Sequence, residues 1–165
     1  MDTTVAGKGE MMKIVFVTKP TSPYGRKYYA DLLSLHNKLY ADQRIKLTDL
    51  NGRDGFASID KLEEIWNEGT MCACAVDDRD VVVGFITFGY TKKGQRWLWI
   101  YNFFVEDEVR SQGVGKDLIA AVEAYGKSKG CAWMQLTVLG NNDRALAFYE
   151  RFGFRTEYHD MVKEI

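Results

Sequence analysis

Three apolar runs follow one another with only short polar breaks: Met71–Val76, Val81–Tyr90 and Trp97–Val105. Runs of this length and make-up read as strands. Asp77-Asp78-Arg79-Asp80 fills the first break, and Lys92–Gln95, which contains Gly94, fills the second. Connections this short join antiparallel neighbours, because a parallel pair needs a crossover of a dozen or more residues. Trp97–Val105 (WLWIYNFFV) is nearly all apolar. That is the pattern of a strand covered on both faces at the centre of a sheet.

The rest of the chain builds on this centre. Lys13–Lys19 reads as a first strand that stops at Pro20, and Pro20–Gly25 as a turn with two prolines. From Tyr24 the spacing turns helical. Tyr28, Leu32, Leu35 and Leu39 form one stripe, with Tyr29, Leu33, His36 and Tyr40 beside it. Residues 41–57 are polar with two glycines and predict a loop. Ser58 is placed to cap a helix that runs to Gly69. Gly113–Lys129 predicts an amphipathic helix ended by Gly130. Cys131–Leu139 predicts a strand, Asn141–Phe152 a helix closed by Gly153, and Phe154–Glu164 one or two last strands. The order β-α-α-β-β-β-α-β-α-β predicts a mixed α/β sheet, mostly antiparallel, with helices on both faces. The 165 residues favour one domain, with residues 1–11, which are polar, as a flexible tail.

Composition narrows the partners. A net charge of -1 gives no electrostatic reason to expect nucleic acid or an anionic membrane. No apolar run approaches the ~20 residues of a membrane helix, and residues 1–10 lack the apolar core of a signal peptide. The three cysteines, Cys72, Cys74 and Cys131, cannot all pair within the chain. They read as small buried hydrophobes in a reducing cytoplasm, and with two distant histidines they do not make a metal site.

The sharpest local feature is Arg110-Ser111-Gln112-Gly113-Val114-Gly115-Lys116, between a buried strand and a helix. Glycines let backbone approach a ligand, and a helix start offers unpaired N–H groups at the positive end of a dipole. With two flanking cations, this is a site for a pyrophosphate. It is not a P-loop: the first glycine of that motif would fall at Arg110, and Asp117 stands where the hydroxyl belongs. A Rossmann fingerprint fails too, because its third glycine would fall at Leu118.

Two segments carry a resemblance to a known family. Phe103–Ile119 (FFVEDEVRSQGVGKDLI) resembles the acetyl-CoA motif [R/Q]-x-x-G-x-[G/A] of the GNAT superfamily of N-acetyltransferases. Val138–Phe154 (VLGNNDRALAFYERFGF) resembles its N-x-x-A-x-x-[F/L]-Y-x-x-x-G-F motif, with Asn142, Ala145, Phe148, Tyr149, Gly153 and Phe154 in register. Both occur in the family's order and cover roughly residues 97–155. The resemblance implies a GNAT-like fold whose fourth and fifth strands, here Trp97–Val105 and Cys131–Leu139, splay apart. Acetyl-CoA would lie in the gap as co-substrate, with no metal. Its pyrophosphate would meet Arg110–Lys116, its pantetheine arm the backbone of Phe103, Phe104 and Val105, and Asn142 the arm or the helix start. An amine would attack the thioester directly. The family's general-acid tyrosine matches Tyr149, a phenol suited to a thiolate leaving group. Many members place an acidic residue just before the FFV-like end; here Tyr101 and Asn102 stand there. Tyr101, or His36 with Tyr40, is then left to pass the amine's proton through water. The resemblance leaves a homodimer open, and also a fold that binds acyl-CoA without catalysis.

Overall fold

The short turns impose antiparallel pairing on the three central runs, and the rest of the sheet grows outward from them. The computed structural model describes residues 3–6, 12–91 and 96–163. Among them, β1 (Thr3–Ala6), β2 (Lys13–Val17), β3 (Met71–Val76), β4 (Val82–Tyr90), β5 (Trp97–Val105) and β6 (Trp133–Gln135) lie side by side in that order in one sheet. The pairs from β1 to β5 are antiparallel, and β5–β6 is parallel. The helices are α1 (Pro23–Lys27), α2 (Tyr29–Asn51), α3 (Val114–Ser128) and α4 (Asp143–Arg151).

The period of two along a strand divides the core. Ile86, Phe88, Leu98 and Ile100 turn to one face, where Val114, Leu118, Ile119 and Val122 of α3 bury them. Phe85, Cys72, Cys74 and Val17 turn to the other, under Leu32, Leu35 and Leu39 of α2. Each such side chain contributes about 1.5–3 kcal/mol on burial. Cys72 and Cys74 are buried free thiols with their sulfurs 3.6 Å apart, and Cys131 is half-buried and also free. No described helix is long and apolar enough to cross a membrane.

Several sequence expectations are corrected. Thr3–Ala6, assigned to a tail, pairs with β2 as a strand; residues 7–11 lie outside the described residues, as does the Lys92–Gln95 turn. Residues 41–51, expected in a loop, continue α2. Buried Leu47 prolongs the Leu32–Leu35–Leu39 stripe, and Ala41, Gln43, Arg44 and Lys46 all favour helix. Gly52, at φ 71°, ends the helix in the left-handed conformation, its N–H bonded to Thr48 O. Ser58 caps no helix; only a single turn, Leu62–Glu64, forms. Asn37 of α2 holds that region by hydrogen bonds with both backbone groups of Ile59. The strand read at Cys131–Leu139 pairs only over Trp133–Gln135. No strand forms among the described residues after Phe154, because Phe154 packs on the core and the chain beyond it is exposed. Finally, β5 is not covered on both faces: Trp99 and Tyr101 are exposed.

The β3–β4 turn is tied to the rest of the fold by one carboxylate. Asp80 accepts hydrogen bonds from Lys13 Nζ (2.8 Å) and Tyr28 Oη (2.9 Å), and pairs with Lys27 Nζ at 2.5 Å. Hydrogen bonds from Lys13 and Lys27 hold its carboxyl well below the usual carboxylate range. A depressed folded-state pKa adds stability that is present above the unfolded value of ~3.9 and is lost as pH falls towards the folded value. Asp80→Asn is therefore expected to lower the Tm at neutral pH, with the difference from wild type shrinking below about pH 4. Parallel melts across pH would show it, and a pH-independent difference would count against the ion cluster.

Candidate active site

A bulge opens the sheet. Thr87 pairs with Asn102 and Phe88 with Ile100, which leaves Tyr101 as the extra residue of β5. The pairing of β5 with β6 stops at Trp99↔Gln135. Beyond that rung the strands part, and a cleft forms between Ile100–Phe103 and Leu136–Leu139. Its remaining walls are Leu39, Asp42 and Gln43 of α2, and Asn142, Ala145 and Tyr149 at α4. That Asp42 and Gln43 belong to the helix with Leu39 was missed because the polar composition of 41–57 reads as loop; the four-residue spacing of Leu39, Gln43 and Leu47 was the available signal. The helix touches both lips of the cleft. Lys38 pairs with Glu106 just after β5, and Asn141 Nδ2 donates to Lys46 O at 2.8 Å.

The free edge of β5 has a definite polarity. Glu106 N–H donates to Val83 O at 2.9 Å. Alternate residues of a strand turn their backbone groups the same way, so Phe104 also bonds to β4, while Phe103 and Val105 face the gap. Phe104, expected to offer backbone to a ligand, thus turns its groups to β4, and Phe103 and Val105 carry the groups on the open edge. One of those groups is already used: Arg110 Nε donates to Val105 O at 2.8 Å. Arg110 also pairs with Asp107 and lies over the Phe104 ring, 5.6 Å from its centroid. Burial, and next the nearby Arg144 cation, lower the pKa of its guanidinium.

After Arg110 the loop makes two left-handed steps, at Ser111 (φ 68°) and Gly113 (φ 87°). The first helical bond of α3 runs from Asp117 N–H to Gly113 O, so the N–H groups of Val114, Gly115 and Lys116 have no partner within the helix. Nothing lies within 4 Å of where a Cβ of Gly113 would stand. Gly115 serves packing instead: a Cβ there would meet Phe148 at 3.2 Å and Phe103 at 3.3 Å. Gln112 Nε2 donates to Glu108 O at 3.0 Å, and Lys116 is exposed.

Tyr149 is half-buried on the cleft wall, among Phe103, Phe148 and Phe154 with ring centroids 5.5–6.2 Å away. Burial pushes its phenol up to about 12. Asn142 caps α4, its side chain accepting from Ala145 N–H at 3.4 Å, and also lines the cleft. Tyr101 lines the cleft as well, but its hydroxyl is turned back along the sheet, 2.6 Å from where a Cβ of Gly89 would stand. His36 is packed rather than poised. It is fully buried, stacked on Phe85 at 4.0 Å, and donates from Nδ1 to Leu32 O at 2.8 Å; burial lowers its pKa to about 4. Of the residues singled out in the sequence, the gap is thus lined by Tyr101, Phe103, Asn142 and Tyr149, and the start of α3 adjoins it where the space beside Gly115 meets Phe103 and Phe148. The structure leaves His36 behind the α2 wall.

A profile of the acetyltransferase (GNAT) family matches residues 33–154. An acetyltransferase of Agrobacterium fabrum is 35% identical over 78 residues, which are 47% of this chain and 53% of that protein. A thialysine N-epsilon-acetyltransferase of Bos taurus is 33% identical over 70 residues, 42% of this chain and 41% of that protein. The chain thus spans about half the length of these curated relatives. A solved Bacillus halodurans protein superposes with a TM-score of 0.76 at 20% identity, over 92% of this chain and 98% of that one. At that identity the likeness is one of fold.

Proposed function

The chain belongs to the acetyltransferase (GNAT) family, and from that premise we propose that it moves the acetyl group of acetyl-CoA to a primary amine. The observation that carries the reading is the splayed gap. It has a strand edge left open by β6 along one side and a protonated phenol on its wall, and its Phe103 packs beside Gly115 at the start of α3, whose first amides have no partner within the helix. The residues suit the co-substrate. Amides of Val114, Gly115 and Lys116, with the Lys116 cation, would take the pyrophosphate. Phe103 and the Val105 N–H would bond the pantetheine arm as an added strand. The Val105 N–H would also stabilise the oxyanion formed at the thioester carbonyl.

Acetyl-CoA supplies the activated acetyl group. The amine nitrogen forms the new N–C bond, the C–S bond breaks, and the thiolate receives a hydrogen bond from Tyr149. A phenol at about 12 transfers its proton uphill to a thiolate of ordinary pKa ~8.5, so the hydrogen bond is its first contribution. Arg110 acts as a clasp that shapes the loop as much as a phosphate ligand, since Asp107 and Val105 already hold it. The proton lost by the amine leaves to water at the cleft mouth, as no carboxylate of β5 stands there.

Calorimetry with CoA and a thiol-release assay over a panel of amines test the reading. CoA binding with acetyl-dependent thiol release on an amine is the expected result. CoA binding with no release on any amine would reduce the protein to a binder.

A further inference from the structure

Three tryptophans and a tyrosine share an exposed part of the sheet face that α2 covers elsewhere. Leu98 and Ile100 are buried under α3, so Trp97 and Trp99 point the other way. Trp133 pairs with Trp97 and stacks on it, with centroids 5.9 Å apart and planes 24° apart. Trp97 and Trp99 lie 6.2 Å apart. Tyr101 joins the same face, because its ring covers Gly89, whose cross-strand partner is Trp99. Trp99 is 36% exposed, Trp133 46% and Tyr101 54%. Contiguous exposed aromatics of this kind mark a place where something docks.

The row runs into the cleft. Trp99↔Gln135 is the last rung before the strands part, and Tyr101, the next residue on that face, lines the gap itself. The charges around it narrow the occupant. Among the residues lining the gap, Asp42 is the one carboxylate, and Lys46 already pairs with it. The row itself carries no charge. A cation over an exposed ring gains only ~0.5–1 kcal/mol, too little to strip several charges of water without carboxylates. A flat ring stacked on an aromatic gains ~0.5–1.5 kcal/mol beyond the area it buries.

We infer that the acceptor is an arylalkylamine. Its aromatic ring stacks on the Trp97–Trp99–Trp133 face, while its single amine passes Tyr101 into the gap. The inference rests on the acetyl-transfer reading and names its substrate class. A tether of a few bonds suits the step from Trp99 to the gap, since alternate residues of a strand are ~6.6 Å apart.

The test uses the full chain with phenethylamine, propylamine and spermidine. Tryptophan fluorescence of the CoA-saturated protein should be quenched by phenethylamine and not by propylamine. In the thiol-release assay, Trp99→Ala and Trp133→Ala should raise KM for phenethylamine roughly tenfold, equivalent to ~1.4 kcal/mol. The KM values for propylamine and acetyl-CoA should not change, and Trp99→Phe should retain most of the affinity. No quenching, or a higher kcat/KM for spermidine, overturns the inference. So does a shift from dimer to monomer in the tryptophan variants with KM unchanged, which would give the face to a second copy of the chain. Quenching without turnover of any amine leaves the docking face standing and sinks the transfer reading instead.

Discussion

Tyr149→Phe is expected to lower kcat by about 10²–10³-fold, the range for removing one hydrogen-bond donor to charge that develops in the transition state, with CoA affinity nearly unchanged. The ring would stay in its nest of Phe103, Phe148 and Phe154. Among the described residues no side chain bonds the hydroxyl, so its loss should cost little stability. The substitution then separates chemistry from packing. Because burial pushes the phenol up to about 12, Tyr149 stays protonated through the neutral and mildly alkaline range. The pH–rate profile should thus show no falling limb from this group below about pH 10. A folded variant with full turnover on the acceptor would return Tyr149 to a packing role.

Gly115→Val is expected to damage both stability and cofactor binding. The space beside Gly115 is filled by the rings of Phe148 and Phe103. A β-branched side chain must push α4 away from α3, and overpacking of this kind costs about 1–3 kcal/mol. For a chain of this size that is a drop in Tm of roughly 2–12 °C. The displaced Phe148 adjoins Tyr149, so the cleft wall moves with it and CoA affinity should fall too. Phe148→Leu in the same chain should recover part of the loss, since neighbouring sites couple. A Tm unchanged by Gly115→Val would mean that α4 does not close on α3 at this point.

Legibility from sequence followed the kind of constraint at each position. The loop after β5 and the Asn142–Phe154 segment were readable because glycines, a cap and an aromatic stripe are local demands on a few residues. Gly115 was readable as necessary, yet its reason was not: Phe148, which fills the space beside it, is 33 positions away in the chain. The direction of the Phe104 backbone was hidden because the bulge at Tyr101 resets the register, and a bulge leaves no composition signal in WLWIYNFFV. Residues 41–51 were hidden for another reason. Most of that half of α2 faces water, so its polar residues read as loop while only Leu47 reports the buried side.

The two tethers of α2 make that helix a spacer of fixed length. Lys38 grips one lip of the gap and the Lys46 carbonyl the other. Eight residues of helix hold these anchors ~12 Å apart along its axis. The gap is therefore gauged by a rod and not by the floppiness of its own rims. A single residue inserted between the anchors would lengthen the rod by only ~1.5 Å but turn one anchor by ~100° relative to the other. Substitutions along this stretch should be tolerated far better than any change in its length.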